Sequence, residues 1–421
     1  YSVLSDLECI FVKTTFNMSS QNIIAQTYTL KNGTVIKNRL LKSAMSEALG
    51  ESNGAPKPDL ATLYGAWANG GIGICITGNV MIDHRALGEP GNVIIEDETN
   101  LLTLQKWAQA ATQNNTQCWV QLNHPGKQAP KGLNKETVSP SAIPFRKDMQ
   151  TFFPTPRALS ETEVKDLIQR FANAAAIVQK AGFSGVQIHG AHGYLVSQFL
   201  SPHHNIRTDQ YGGNPENRRR FVMEIYKAMR EKVGTSFPIS IKLNSADFQR
   251  GGFTEEESLD LIRVLSEAGM DLIEISGGTY EAPVMTGVKS SKQPVKESTI
   301  QREAYFLDFA EKARKVCTTA LAVTGGFRSA DGTAMAISSG AVDFVGLARL
   351  LAIETDAPNK IISGKTILVV KPIKTGLGMV DKMGLMETAW YSAQLKRIGK
   401  GKAPDIHLSP WMVLIKTIYH M

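Results

Sequence analysis

Apolar residues along this chain come in short, unbroken runs separated by polar turns and longer amphipathic stretches. Eight such runs stand out: 40–45, 72–77, 117–122, 185–189, 239–243, 272–276, 320–324 and 343–347. None alternates apolar with polar throughout, so each predicts a strand buried on both faces, as in a parallel sheet. Helical periodicity fills the gaps. The stretch 101–113 follows the second run. Ser160-Glu-Thr-Glu163 is a capping box that opens a helix with Val164, Leu167, Phe171 and Val178 on one side. Thr254-Glu-Glu-Glu257 opens another, with Leu259, Ile262 and Leu265 facing inward, and Ser329 caps a shorter one before Gly340. Eight strands alternating with helices predict an α/β chain folded as a single (β/α)8 barrel, the TIM barrel, with loop excursions at its C-terminal face. A doubly wound sheet is the alternative. It would want a phosphate loop after its first strand, and Met45-Ser-Glu-Ala-Leu-Gly50 is not one.

The barrel is expected to span residues 28–403, preceded by an N-terminal extension (1–27) and followed by a tail (404–421). Met18 is a plausible natural start, because the sequence opens on Tyr. Residues 128–158 carry five prolines and form a long excursion after the third strand, a lid or hairpin over the barrel mouth. Neither a repeat nor a second domain is visible.

Charge and cysteines narrow the function classes. The net charge of +7 is carried by residues 360–421, which hold ten Lys/Arg against three Asp/Glu. Its few aromatic residues do not alternate with these bases, so a solvated basic face is favoured over nucleic-acid binding. No apolar run approaches the ~18–20 residues of a membrane span. Cys9, Cys75, Cys118 and Cys317 show no CxxC spacing, which argues against a zinc ribbon or cysteine-ligated cluster and fits a reducing cytoplasm.

In a (β/α)8 barrel, residues at the C-terminal strand ends build the active site. Strand four ends in His189, with His192 and Tyr194 close behind: two imidazoles and a phenol that can grip and protonate a polar substrate. Other strand ends bring Ser46, Thr77, Asn79, Gln121, Asn123, His124, Lys242 and Asn244. Lys242 lies in an apolar run and needs an anionic partner or a shifted pKa; it suits a delocalised negative charge. The Gln121 amide matches the edge of a planar heterocycle. Gly325-Gly326 after strand seven and Ala348-Arg349 after strand eight outline a phosphate site, where glycine N–H groups approach closely and arginine adds a charged fork. His189 and His192 could also be a metal pair, but no carboxylate or thiol stands beside them, so no metal is expected. Arg218 is read as a structural ion pair in preference to a cofactor contact.

Taken together, His189-Gly-Ala-His-Gly-Tyr194, Gln198-Phe-Leu-Ser-Pro202, Asn205, Arg207-Thr-Asp209, Tyr211-Gly-Gly213 and Glu216-Asn-Arg218 resemble the old yellow enzyme family of FMN-dependent NAD(P)H oxidoreductases. Asn38-Arg39, Gln121-Leu-Asn-His-Pro-Gly126 and Trp390-Tyr391 are similar too, so the resemblance covers roughly residues 28–403. It implies FMN at the barrel mouth and NADPH or NADH as reductant. Ser43, Ala44, Met45 and Ser46 would lie along the flavin ring, Thr77 would touch it and Gln121 would bond its pyrimidine edge. Lys242 stands where the family commonly has arginine, near flavin N1 and O2; Gly325, Gly326, Ala348 and Arg349 match the phosphate-binding ends. Ala44 replaces a usual proline and Ala348 a usual glycine. Asn123 stands where some members place tryptophan, implying a roomier pocket. The implied activity is reduction of electron-poor alkenes, such as α,β-unsaturated carbonyls, with His189 and His192 holding the substrate oxygen and Tyr194 donating the proton. Alternatives are another acceptor (a quinone, a nitro compound, a tRNA uridine), a non-redox phosphate-binding barrel enzyme, or a non-catalytic flavin-binding protein.

Overall fold

A computed structural model of the chain describes residues 23–277, 307–325, 327, 330–365, 367–368, 373 and 385–419. Its centre is a closed ring of eight parallel strands, numbered here in chain order: β1 (Leu40–Lys42), β2 (Ile74–Met81), β3 (Gln117–Asn123), β4 (Gly185–Gly190), β5 (Ile239–Asn244), β6 (Leu272–Ser276), β7 (Ala320–Thr324) and β8 (Phe344–Leu347). Each pairs with the next, and β8 closes on β1 through Val345↔Leu40 and Gly346↔Leu41. Closure excludes the doubly wound alternative. All eight strands expected from the apolar runs are present. β1 stops three residues early, where the Ser43 side chain turns into the barrel to bond Glu274 on β6. β2 instead runs four residues past Thr77, because a bulge between Ile76 and Asn79 lets it re-pair with β3.

Helices Pro58–Asn69, Leu101–Ala111, Glu161–Lys180, Pro215–Val233, Glu255–Glu267, Leu307–Arg314 and Ala330–Ser338 separate consecutive strands. The Leu385–Gly399 helix packs against Pro58–Asn69 and closes the outer ring. Both expected capping boxes form: Ser160 with Glu163, and Thr254 with Glu257. Each N-cap contributes about 1 kcal/mol by satisfying backbone N–H groups the helix cannot pair. Val164, Leu167, Phe171, Val178, Ile262 and Leu265 are buried against the strands as the periodicity requires, while Leu259 is only half-buried. Ser329 lies outside the described residues.

Two apolar cores result. The larger lies between strands and helices. The smaller fills the bottom of the barrel with Leu41, Ile74, Ile76, Trp119, Leu272, Ala320, Ala322 and Phe344, and is sealed by Leu30 and Ile36. Ile36 belongs to, and Leu30 directly follows a strand of, a short antiparallel pair, Tyr28–Thr29 with Val35–Ile36, that plugs the N-terminal end. Ile24 is fully buried, so the packed body begins before residue 28. At the other terminus the chain after residue 403 folds back: Gln394 and Asp405 bond each other, Trp390 Nε1 donates to Leu408 O, and a helix follows at Pro410–Tyr419. The excursion 128–158 is mostly irregular. Its two-residue strands Val138–Ser139 and Arg157–Ala158 run parallel, so they do not form a hairpin. No helix among the described residues is long and apolar enough to cross a membrane.

Candidate active site

Above the apolar plug the barrel interior turns polar. Glu274, fully buried on β6, is the hub. Its Oε1 accepts from Ser43 Oγ (2.8 Å) on the β1 end and from Thr324 Oγ1 (2.8 Å) on β7, and lies 3.0 Å from Lys242 Nζ on β5. Its Oε2 accepts from Gln187 Nε2 at 3.0 Å on β4. Burial by itself would raise the Glu274 pKa; the Lys242 charge and these hydrogen bonds outweigh it, and the carboxyl is held below its usual range. Lys242 therefore has the anionic partner its apolar surroundings demand.

This carboxylate orients the layer. An ionised carboxyl only accepts, so Gln187 must turn its NH2 toward Glu274 and its carbonyl toward β3. There Gln187 Oε1 accepts from Gln121 Nε2 at 2.8 Å. Gln121 is left presenting Oε1, a fully buried acceptor that no donor among the described residues satisfies. Neither Gln187 nor Glu274 was anticipated from sequence. Each is a single polar residue inside an apolar strand run, and the need of Lys242 for a counter-charge was the available signal.

The next layer holds the expected cluster. The His189 and His192 rings stand 5.2 Å apart edge to face, and His189 and Tyr194 rings 4.7 Å apart. β4 carries His189 beside Lys242, its partner in the parallel register with β5. His189 Nδ1 accepts from the Ala191 N–H (3.4 Å), which places the proton of the neutral ring on Nε2. His192 adopts φ +61°, an uncommon backbone for a side-chain-bearing residue. It is held from several sides: its N–H by Asn244 Oδ1 (3.1 Å), its carbonyl by Gln128 Nε2 (3.0 Å) and its ring Nε2 by Ser276 Oγ (2.7 Å). Burial, reinforced by the Lys242 charge, pushes both imidazole pKa values well below the usual value, so both rings are neutral near pH 7. Gln128 and Ser276 also went unanticipated.

The remaining expected residues divide by location. Thr77 is consumed by the β2 bulge: its Oγ1 accepts from Gln121 N–H (2.9 Å) and donates to Gly78 O (2.9 Å). Ser43 belongs to the Glu274 hub, Ala44 packs on the inner core, and Met45 is half-buried against the outer core. Ser46 donates to Glu89, and its carbonyl accepts from Ser392 Oγ (2.9 Å). Gly325 has φ +131°, a conformation that favours glycine; Gly326 lies outside the described residues. Ala348 opens a short 3-10 turn, Arg349–Ala352, and Arg349 pairs with Glu387 at 3.1 Å.

Arg218 is structural: it donates to Leu200 O (3.0 Å) and to Gly213 O, and pairs with Glu257. Much of the signature from Gln198 onward does the same work. Gln198 bonds Pro125 O and Gly193 O, Asn205 bonds Phe199 O and Tyr211 O, and Arg207 pairs with Asp209 while donating to Pro140 O. The Gln198 bond to Gly193 O holds the loop that carries His192 and Tyr194, and the Asn205 and Arg218 bonds hold the segment 199–213 that follows it. Elsewhere, Asp83, His84 and Glu96 bring ligand-type atoms within 4.8 Å of one another. Arg85 and Arg170 already supply positive charge there.

The layer fits a flavin. An unsatisfied buried acceptor at Gln121 matches the imide N–H of the pyrimidine edge, and the Lys242 ammonium matches its adjoining carbonyl and ring nitrogen. Comparison with known proteins agrees. Residues 26–366 match the model of the NADH:flavin oxidoreductase / NADH oxidase family. The chain is 36% identical over 356 residues to the NADH-dependent flavin oxidoreductase iliE of Hypocrea jecorina (strain QM6a), covering 79% of this chain and 87% of that protein. It is 34% identical over 418 residues to the protein of the same description from Neonectria sp. (strain DH2), covering 93% of this chain but 52% of that longer one. In structure it resembles the old yellow enzyme homologue of Zymomonas mobilis, with a TM-score of 0.71 at 22% identity over 83% of this chain and 94% of that one, a likeness of fold. The chain thus belongs to the NADH:flavin oxidoreductase / NADH oxidase family, an oxidoreductase whose cofactors are FMN and a reduced nicotinamide nucleotide.

Proposed function

We propose that this oxidoreductase reduces activated C=C bonds, such as those of α,β-unsaturated carbonyl compounds. The observation that carries the reading is the gathering of His189, His192 and Tyr194 at the end of β4, with His189 beside Lys242 in the strand register. FMN, when bound, would supply the hydride chemistry that links NADH or NADPH to the acceptor. Gln121, Lys242 and Ser43 to Ser46 would hold its ring, and Gly325, Gly326, Ala348 and Arg349 its phosphate.

The protein groups then act on the acceptor. His189 donates from Nε2 to the substrate oxygen. His192 adds a second N–H when Ser276 donates to its Nε2. Negative charge grows on that oxygen as hydride reaches the β-carbon, so these donors stabilise the transition state more than the bound substrate. Neutral imidazoles suit this role, because they can donate without bringing a second full positive charge beside Lys242. Tyr194 supplies a proton to the α-carbon.

Tyr194→Phe tests the assignment. Stopped-flow absorbance should show flavin reduction by NAD(P)H at the wild-type rate, and reoxidation by an enone slowed about 10²–10⁴-fold, the usual contribution of a positioned general acid. An unchanged reoxidation rate would remove Tyr194 from the mechanism.

A further inference from the structure

The Lys242–Glu274 pair has a consequence beyond packing. A lysine ammonium at the pyrimidine edge of a flavin stabilises the negative charge that the ring gains on reduction, and so raises its reduction potential. In this chain that ammonium does not act alone. Glu274 lies 3.0 Å from it, fully buried, and Lys242 is itself nearly buried. At this depth neither charge is screened by water as a surface pair would be. The carboxylate is held by Ser43 just past β1, Thr324 on β7 and Gln187 on β4, so it cannot swing away from the ammonium.

We propose that Glu274 is a positioning residue that acts through Lys242: it offsets the lysine charge felt by the bound flavin and holds the flavin's potential low. The inference rests on the FMN-oxidoreductase reading. It predicts opposite effects from the two halves of the pair. Glu274→Gln keeps the shape but frees the Lys242 charge, so the flavin becomes easier to reduce. Lys242→Gln leaves the carboxylate facing the flavin, so the flavin becomes harder to reduce. The double variant Lys242→Gln/Glu274→Gln removes both charges and returns the potential toward that of the parent.

Midpoint potentials of the purified holoproteins, measured spectroelectrochemically at fixed pH, decide the matter. A shift of at least tenfold in the reduction equilibrium is expected for each single variant, which is about 30 mV for a two-electron couple. The shift is positive for Glu274→Gln and negative for Lys242→Gln, and the double variant lies within about threefold of the parent. If a single variant does not retain FMN, the double variant, which has no unpaired buried charge, decides alone: a tenfold departure from the parent overturns the proposal. Single variants that hold FMN but shift less than threefold, or in the same direction, also overturn it. A parent protein that binds no FMN would instead refute the oxidoreductase reading on which the proposal stands.

Discussion

The hydroxyl of Thr77 accepts the backbone N–H of Gln121 at 2.9 Å, standing in for the ladder bond that the β2 bulge removes. Both residues are fully buried. Thr77→Val keeps the shape and leaves that N–H without a partner, at a cost of about 1–3 kcal/mol. The backbone that carries the Gln121 amide loosens with it. Chemical denaturation should report the stability loss and equilibrium dialysis a weaker hold on FMN, with Thr77→Ser restoring both. Equal stability and FMN affinity in Thr77→Val would show that the hydroxyl is dispensable.

Arg218 fixes the segment 200–213, which follows the proposed catalytic cluster in the chain, through two carbonyls and one carboxylate. Arg218→Met fills similar space but strips all three contacts. Breaking a buried pair of this kind costs about 3–5 kcal/mol. Urea unfolding monitored by tryptophan fluorescence should show that loss, and below its transition the variant should still bind FMN. A loss under 1 kcal/mol would contradict the clamp.

Four buried imidazoles bias the fold against acid. Burial lowers the His124 pKa to about 4, and pushes His189, His192 and His204 well below the usual value. Each is neutral in the folded state but takes a proton in the unfolded chain below pH ~6.5. The unfolded state then binds more protons, so stability is complete above that pH and falls as pH drops, by up to about 1.4 kcal/mol per unit for each residue. For His124 the loss runs from about 6.5 to about 4. Unfolding free energies measured between pH 7.5 and 5 should therefore decline, and His124→Asn should flatten the slope. A pH-independent stability over that range would refute this linkage.

Why some features were legible in the sequence follows from what burial demands. Parallel strands covered on both faces must be continuously apolar, and all eight could be read from that alone. The polar residues proposed as the site were equally visible, because His189, His192, Tyr194, Gln121 and Lys242 stand in or just after the apolar runs. Gln187 and Glu274 were not seen. They lie within Val186-Gln-Ile188 and Ile273-Glu-Ile275, and only the parallel register, which sets Lys242 against Glu274 and Gln121 against Gln187, gives them meaning. A sequence carries no statement of that register. The long signature from Gln198 to Arg218 was read as part of the catalytic resemblance. In the fold its polar side chains are largely spent on main-chain carbonyls, holding the backbone of that segment.

The central claim is reduction of an activated alkene by an FMN enzyme. It is tested most directly by following the visible flavin band of the purified protein under anaerobic conditions. NADH or NADPH should bleach the band, and an α,β-unsaturated ketone should restore it with consumption of one equivalent of the alkene. A protein without a flavin band, or one whose bleached band is restored by a quinone or nitro compound but not by the alkene, would contradict the claim.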